Sequence, residues 1–393
     1  MSYPLFISGL ARSGTTLLAR MLSAHRDVMI GSDPYLTYFR FFRNAIIRKA
    51  AVEYDYSSPF QDYYFSDDLL KIMSLVQKSS LDIPFDKNEW GALYDSVMSR
   101  ASHECADLLP ELSKLLGKTY KEILDNGLNI IAQVRQSQNR KWVGIKEVWV
   151  LEFFKPMALT YPEAHFIIIQ RDPRAIMASM LKLGSEDTSQ RGHSLSVLRH
   201  WRKYTAFRCH YQADPLFSNR LYCLNYEDLV SNPKKISKEI CDFLDIKFDP
   251  DMIDASKYIN YSTNAVWEGN SSFETTTQGI SQKQKERWKS QLDPRVIKLT
   301  ELACGPEMPL EGYEIANDIN RLCSDPDILD YLIQNNTEEC SWRSDRQNPQ
   351  QDMELECSRL DLLKKERAEL NKNDIRRSFL FQEALDKIKH TGT

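Results

Sequence analysis

The chain has 393 residues, 42% of them hydrophobic and 27% charged, with 14 glycines and 16 prolines. These proportions exclude collagen, a disulfide knot and wholesale disorder, and the length supplies material for a large core. With 51 Lys plus Arg against 55 Asp plus Glu, the net charge is −4. A nucleic-acid partner would select for a basic excess, so none is expected, and any anion site has to be a local cluster.

The eight cysteines, at positions 105, 209, 223, 241, 304, 323, 340 and 357, are scattered and form no CxxC pair. That usage suits buried or free thiols in a reducing, cytoplasmic compartment; a Cys323–Cys340 bridge is the one pairing left open. No His/Cys group has zinc-ligand spacing, and no metal is expected. The first residues, MSYPLF, lack a basic stretch followed by a long apolar run, so no signal peptide is expected. The longest aliphatic run, Phe166 to Ile169, is far too short to span a bilayer, and no membrane partner is expected.

Taken in chain order, Tyr3 to Ser8 is predicted as a short apolar strand. It breaks into Gly9-Leu-Ala-Arg-Ser-Gly14, and Thr15 to Ala24 follows as a helix with Leu17, Leu18 and Met21 on one face. From about 35 to 140 the pattern is mainly helical, a helical insertion whose Tyr/Phe-rich stretch 35–65 is core or the wall of an acceptor pocket. Strands return at Lys141 to Ile145 and His165 to Gln170, with a helix over Val150 to Leu159 between them. Arg171-Asp-Pro-Arg174 opens another helix, with Pro173 in the first turn, where its missing N–H costs nothing. Ser194 to Tyr211 reads as a helix, Arg220 to Asn225 as a strand, and Pro233 to Leu244, Ile280 to Ser290 and Pro294 to Ala303 as helices.

This alternation predicts an α/β fold with a central parallel sheet between helical layers. The domain is expected to span 1–325, with 326–393 as a charged helical C-terminal extension. Within residues 351–390, 18 of 40 are Asp, Glu, Lys or Arg. Solvated helices packing on their own domain are the preferred reading there. The loose heptad of Leu355, Leu362, Leu363 and Leu370 makes a homodimer contact the weaker one.

The strongest local pattern is Gly9-x-x-x-x-Gly14-Thr15-Thr16 between strand and helix. In that setting loop amides and the helix N-terminus converge on an anion. A nucleotide-hydrolysing loop would carry lysine where Thr15 stands, to reach the terminal phosphates; here the basic side chain is inside the loop, at Arg12. The fold is therefore P-loop NTPase-like, three-layer α/β/α, without the usual lysine. A second basic element, Arg171 with Ser179 on the following helix, leaves the carboxyl end of a strand and suits a second, separate phosphate.

Together these two elements resemble the P-loop sulfotransferases, over residues 1–35 and about 141–232 and more loosely over 260–292. Arg12-Ser-Gly-Thr-Thr-Leu17, followed by Ala24-His-Arg26 and Gly31-Ser-Asp33, is most similar to the tyrosylprotein and carbohydrate type and its bacterial relatives. The resemblance implies 3′-phosphoadenosine-5′-phosphosulfate (PAPS) as co-substrate and adenosine 3′,5′-bisphosphate as product. It implies that Arg12, Ser13, Gly14, Thr15 and Thr16 hold the 5′-phosphosulfate, and that Arg171 and Ser179 hold the 3′-phosphate. Asp33 falls where these relatives carry a basic glutamate, one methylene shorter, with Ser32 replacing a second acid. Lys146, in Gly144-Ile-Lys-Glu147, matches the lysine at the bridging oxygen. Tyr226 resembles a tyrosine that touches the nucleotide; Ser272 and Arg287 resemble elements that close over the phosphosulfate, with Arg in place of Lys.

In-line attack by an acceptor hydroxyl or amine, with Asp33 taking its proton and Lys146 steadying the leaving phosphate, is the chemistry expected. A small-molecule acceptor is expected first and a carbohydrate or tyrosyl peptide second. A P-loop kinase, or a nucleotide-binding protein without transfer, is the alternative class.

Overall fold

The computed structural model describes residues 2–186, 194–269, 280, 285–335 and 348–391. In chain order the first elements are β1 (Tyr3–Ser8), α1 (Thr15–Ala24), β2 (Val28–Ser32), α2 (Leu36–Lys49), α3 (Asp67–Gln77), α4 (Trp90–Glu104), α5 (Tyr120–Val134), β3 (Trp142–Lys146), α6 (Phe154–Thr160) and β4 (His165–Gln170). There follow α7 (Pro173–Glu186), α8 (Ser194–Ala213), β5 (Leu221–Asn225), α9 (Tyr226–Ser231), α10 (Pro233–Phe243) and the short strands β6 (Ile259–Asn260) and β7 (Ala265–Val266). The chain closes with α11 (Trp288–Gln291), α12 (Pro294–Cys304), α13 (Ile319–Leu322), α14 (Pro326–Gln334), α15 (Pro349–Lys364), α16 (Lys372–Phe379) and α17 (Gln382–Thr391). Two compact units form: Met1–Tyr56, Ser74–Ile169 and Pro215–Gln282 make the first, and Ser57–Met73, Gln170–Asp214 and Lys283–Thr393 the second.

The first unit holds the five-stranded parallel sheet, in the order β2-β3-β1-β4-β5. β1 is central, and successive connections leave it in opposite directions, which opens a crevice beyond its carboxyl end. Both faces are buried with a two-residue period. Leu5, Ile7, Ile167 and Ile169 face α1, α9 and α10 in one apolar cluster. Phe6 and Phe166 point the other way, into an aromatic group with Tyr161, Phe154 and Phe217.

Strand β2 escaped the sequence reading. Its five residues, interrupted by Gly31, carry too short a pattern to announce a strand, yet all are buried and pair with β3. Helix α6 starts at Phe154, later than expected, because Leu151–Phe153 form a 3₁₀ turn first. The helix expected over Ile280 to Ser290 begins at Trp288 as described, and residues 281–284 lie outside the described residues. Of the aromatic stretch 35–65, Tyr35, Tyr38, Phe39 and Phe42 are core of the first unit.

In the second unit the C-terminal helices are more than a solvated tail. Asp352, Glu356 and Arg359 of α15 are at most 3% exposed. Asp352 and Glu356 pair with Arg199 of α8, each at 2.8 Å, Glu356 also takes Arg202, and Arg359 pairs with Glu307. Buried charges persist where partners neutralise them, which composition alone does not reveal. Cys323 is bridged to Cys357 of α15, with Cα atoms 5.6 Å apart, rather than to Cys340, which lies outside the described residues. Among the described residues no helix is long and apolar enough to cross a membrane.

Candidate active site

The loop between β1 and α1 has the geometry its glycines require. Gly9 passes so close to β4 that a Cβ would sit 2.5 Å from the Ile169 carbonyl oxygen. Gly14 has φ +87°, and a Cβ there would lie 2.3 Å from the ring of Tyr226. Arg12 is also left-handed, with φ 73°, a conformation costing a side-chain-bearing residue about 1–2 kcal/mol. Outliers of this kind cluster at ligand clamps. Ser13 is fully buried, and its hydroxyl has no hydrogen-bond partner. Helix α1 then begins with Thr15 and Thr16, with no side-chain cap and no acidic residue in its first turn. Its N-terminal amides and dipole are thus available to an anion.

Asp33 and Lys146 come together beside this loop. β2 and β3 are neighbours in register, Ser32 opposite Lys146, so the residues leaving their carboxyl ends meet. The Asp33 amide donates to the Lys146 carbonyl at 2.7 Å. One carboxylate oxygen accepts from Lys146 Nζ and the other from the Val148 amide at 3.1 Å. Lys146 Nζ also reaches the Thr16 hydroxyl at 3.4 Å. Asp33 sits at φ 56°, a region aspartate tolerates better than most side chains.

Two residues without a sequence-assigned role join the pair. Glu147 is buried, its Oε1 accepting from the Tyr35 amide and its Oε2 lacking a partner. Arg100 comes from α4 in the helical insertion and places Nη2 3.9 Å from Asp33 Oδ1, its side chain one-third exposed and its Nε buried without a partner. Glu147 stood next to Lys146 in the sequence, but nothing local marked its carboxyl as buried. Arg100 sits in an amphipathic helix 67 positions from Asp33, and only folding reveals the contact.

Electrostatics separate the two acids. Burial alone would raise Asp33, but the charges of Lys146 and Arg100, with the Lys146 and Val148 hydrogen bonds, hold its carboxyl below the usual range. Burial, reinforced by the negative charge of Asp33, pushes Glu147 well above its ordinary value. The two buried acids are therefore shifted in opposite directions, an arrangement typical of tuned sites.

Tyr226 opens α9 and is buried, its ring lying across Gly14. In the second unit, Arg171 and Ser179 are 5% and 1% exposed. The Arg171 carbonyl accepts from Trp201 Nε1 at 2.8 Å. Helix capping in Arg171-Asp-Pro-Arg174 falls to its neighbours: Asp172 accepts from the Arg174 amide at 2.8 Å, and Arg174 pairs with Asp172 and Glu301. Arg287 precedes α11, half-buried, and Ser272 lies outside the described residues.

A family model described as the sulfotransferase family matches residues 4–250, more than half of the chain and including every expected site residue but Ser272 and Arg287. The chain belongs to the sulfotransferase family. Human carbohydrate sulfotransferase 3 is 27% identical over 210 residues, 49% of this sulfotransferase and 43% of the relative. Carbohydrate sulfotransferase 3 of Tetronarce californica is 26% identical over 216 residues, covering 50% and 47%. The chain spans less than half the length of these curated relatives. Among solved structures, the sulfotransferase domain from the curacin biosynthetic pathway has a TM-score of 0.45 at 16% identity, covering 82% of this chain and 97% of that one.

Proposed function

We propose that this sulfotransferase moves the sulfuryl group of PAPS to an acceptor hydroxyl, with Asp33 and Lys146 carrying the chemistry. The observation supporting it is the convergence of Lys146 on both Thr16, at the start of the anion-binding helix, and Asp33. The acceptor oxygen attacks sulfur in line, its proton passes to Asp33, and the bond from sulfur to the bridging phosphate oxygen breaks. That oxygen keeps the electron pair, and Lys146 with the amides following Gly14 stabilises its charge. A positioned carboxylate base contributes about 10²–10⁴-fold.

Arg12, Ser13, Gly14, Thr15 and Thr16 hold the phosphosulfate in this reading; the buried, unsatisfied Ser13 hydroxyl and the open amides of α1 support it. Arg171 and Ser179 take the 3′-phosphate, on the strength of the sequence pattern. Tyr226, Arg287 and Ser272 are assigned to the nucleotide on the same ground.

The relatives named as carbohydrate sulfotransferases favour a sugar hydroxyl as acceptor over the small metabolite or tyrosyl peptide also considered. The Cys323–Cys357 bridge favours an oxidising location over the cytoplasm.

Calorimetric titration with adenosine 3′,5′-bisphosphate, beside ATP and AMP, tests the reading. Preferential binding of the bisphosphate, weakened by Arg171→Ala, is expected. Preference for ATP, or indifference to the 3′-phosphate, would overturn it and return a kinase to first place.

A further inference from the structure

We propose that Asp33 is a masked base: Lys146 on the donor side and Arg100 on the helical insertion hold its carboxylate until donor and acceptor draw these cations away. The inference rests on the sulfotransfer reading and adds to it a positioning residue, Arg100, and a reason why the base stays silent without substrates.

Three observations carry it. The carboxylate of Asp33 is engaged on both oxygens, Oδ2 by Lys146 and Oδ1 by the Val148 amide, with the Arg100 guanidinium 3.9 Å from Oδ1. A carboxylate that accepts on both oxygens and lies beside two cations has its charge stabilised and is a weak base. The two cations also differ in access. The Lys146 side chain is 1% exposed and touches Thr16 at the anion-binding helix, so an arriving phosphosulfate competes for it. The Arg100 side chain is 33% exposed, on a helix that contributes nothing to the phosphate loop. Its Nε is buried without a partner and its grip on Asp33 is at the long limit of an ion pair. That makes Arg100 the cation an acceptor can displace.

The other groups facing Asp33 do not replace them. Glu147 is an acid that burial and the charge of Asp33 push well above its ordinary value, and the Cys105 thiol, which follows α4, donates to the Ser32 carbonyl at 3.2 Å. In the chemical step the acceptor O–H bond breaks, its proton goes to a carboxylate oxygen of Asp33, and its oxygen bonds sulfur. The bridging S–O bond breaks toward the phosphate, where Lys146 now stands. Masking suppresses the same step with water, which would waste the donor as sulfate and adenosine 3′,5′-bisphosphate.

Hydrolysis of PAPS in water tests this without knowledge of the acceptor. Sulfate release is measured against pH for the wild type, Arg100→Gln and Arg100→Lys, with bisphosphate affinity from calorimetry beside it. Arg100 lowers the pKa of Asp33, so removing its charge raises that pKa. The acid limb should move to higher pH by about one unit, with faster hydrolysis on the plateau; Arg100→Lys should restore the wild-type limb. Bisphosphate affinity should be the same in all three proteins.

In the wild type alone, raising the ionic strength should screen the half-open Arg100 contact and move the limb in the same direction. An acid limb unmoved by both Arg100→Gln and salt would overturn the masking. A wild type that binds no bisphosphate would instead sink the sulfotransfer reading itself, so the two failures are distinct.

Discussion

Lys146 and Asp33 form a buried ion pair, their side chains 1% and 9% exposed, that ties the carboxyl end of β3 to the residue following β2. Removing either partner has different consequences. Lys146→Ala leaves a buried carboxylate with only Arg100 and the Val148 amide beside it. Breaking such a pair typically costs about 3–5 kcal/mol. Without Lys146 the burial of Asp33 prevails and its folded pKa rises, so the variant's stability deficit should be larger at pH 8 than at pH 5. Urea unfolding at both values checks this; a deficit independent of pH would contradict it. Transfer should be abolished while bisphosphate binding survives.

Asp33→Asn keeps the shape and removes the charge. Transfer should fall by about 10²–10⁴-fold, while Lys146, no longer held by a carboxylate, becomes fully available to the donor. Tighter calorimetric binding of the bisphosphate together with lost transfer is the expected pattern. Weaker binding would mean that Asp33 supports the donor site structurally.

Gly14 and Tyr226 are coupled through space. Gly14→Ala meets both a left-handed backbone and the Tyr226 ring at 2.3 Å, costing about 1–2 kcal/mol for the backbone alone and more for the ring. Tyr226→Ala in the same chain should recover the steric part and leave the backbone part. Unfolding free energies of the two single variants and the double variant, read as a cycle, measure this. Strict additivity would show that the ring moves aside freely.

Glu147 supplies a pH dependence of the opposite sign to a salt-bridged acid. Its folded pKa is raised, so its contribution to stability is complete below the ordinary glutamate pKa and is lost as pH climbs through the folded value. Glu147→Gln retains an acceptor for the Tyr35 amide without an ionisable proton. The variant should gain stability relative to the wild type as pH rises from 5 to 9. A constant difference between the two proteins would show that Glu147 does not ionise in that window.

The Cys323–Cys357 bridge closes a sequence separation of 34 residues, a loop for which chain entropy predicts a contribution of about 3–4 kcal/mol. Cys357→Ser should lower the denaturation midpoint under oxidising conditions and bring it level with the reduced wild type. Because α15 supplies Asp352 and Glu356 to Arg199, the loss should appear in amide-exchange protection of α8 as well as α15.

Much of the opening strand, loop and helix was legible from residue order. Tyr3 to Ser8, the loop to Gly14 and α1 form one continuous segment whose hydrogen bonds and dihedrals are settled between near neighbours. Asp33 and Lys146 came forward only through their resemblance to sulfotransferase positions, and it is folding that brings their side chains together. Strand β2 was not legible, since five residues interrupted by Gly31 show no usable period until β3 pairs with them. The pairing left open for Cys323, with Cys340, is not the one formed, because sequence separation says nothing of which helix returns to meet it.

Chain order by itself determined the α/β alternation and the glycine loop between β1 and α1, because these depend on backbone conformation and side-chain type at adjacent positions. Tertiary structure alone decided that Asp33 is held by two cations that lower its carboxyl pKa, that burial raises that of Glu147, and that the acids of α15 are buried. Each of those states is set by desolvation and by charges brought within a few ångströms from distant parts of the chain, and neither exists before the chain folds.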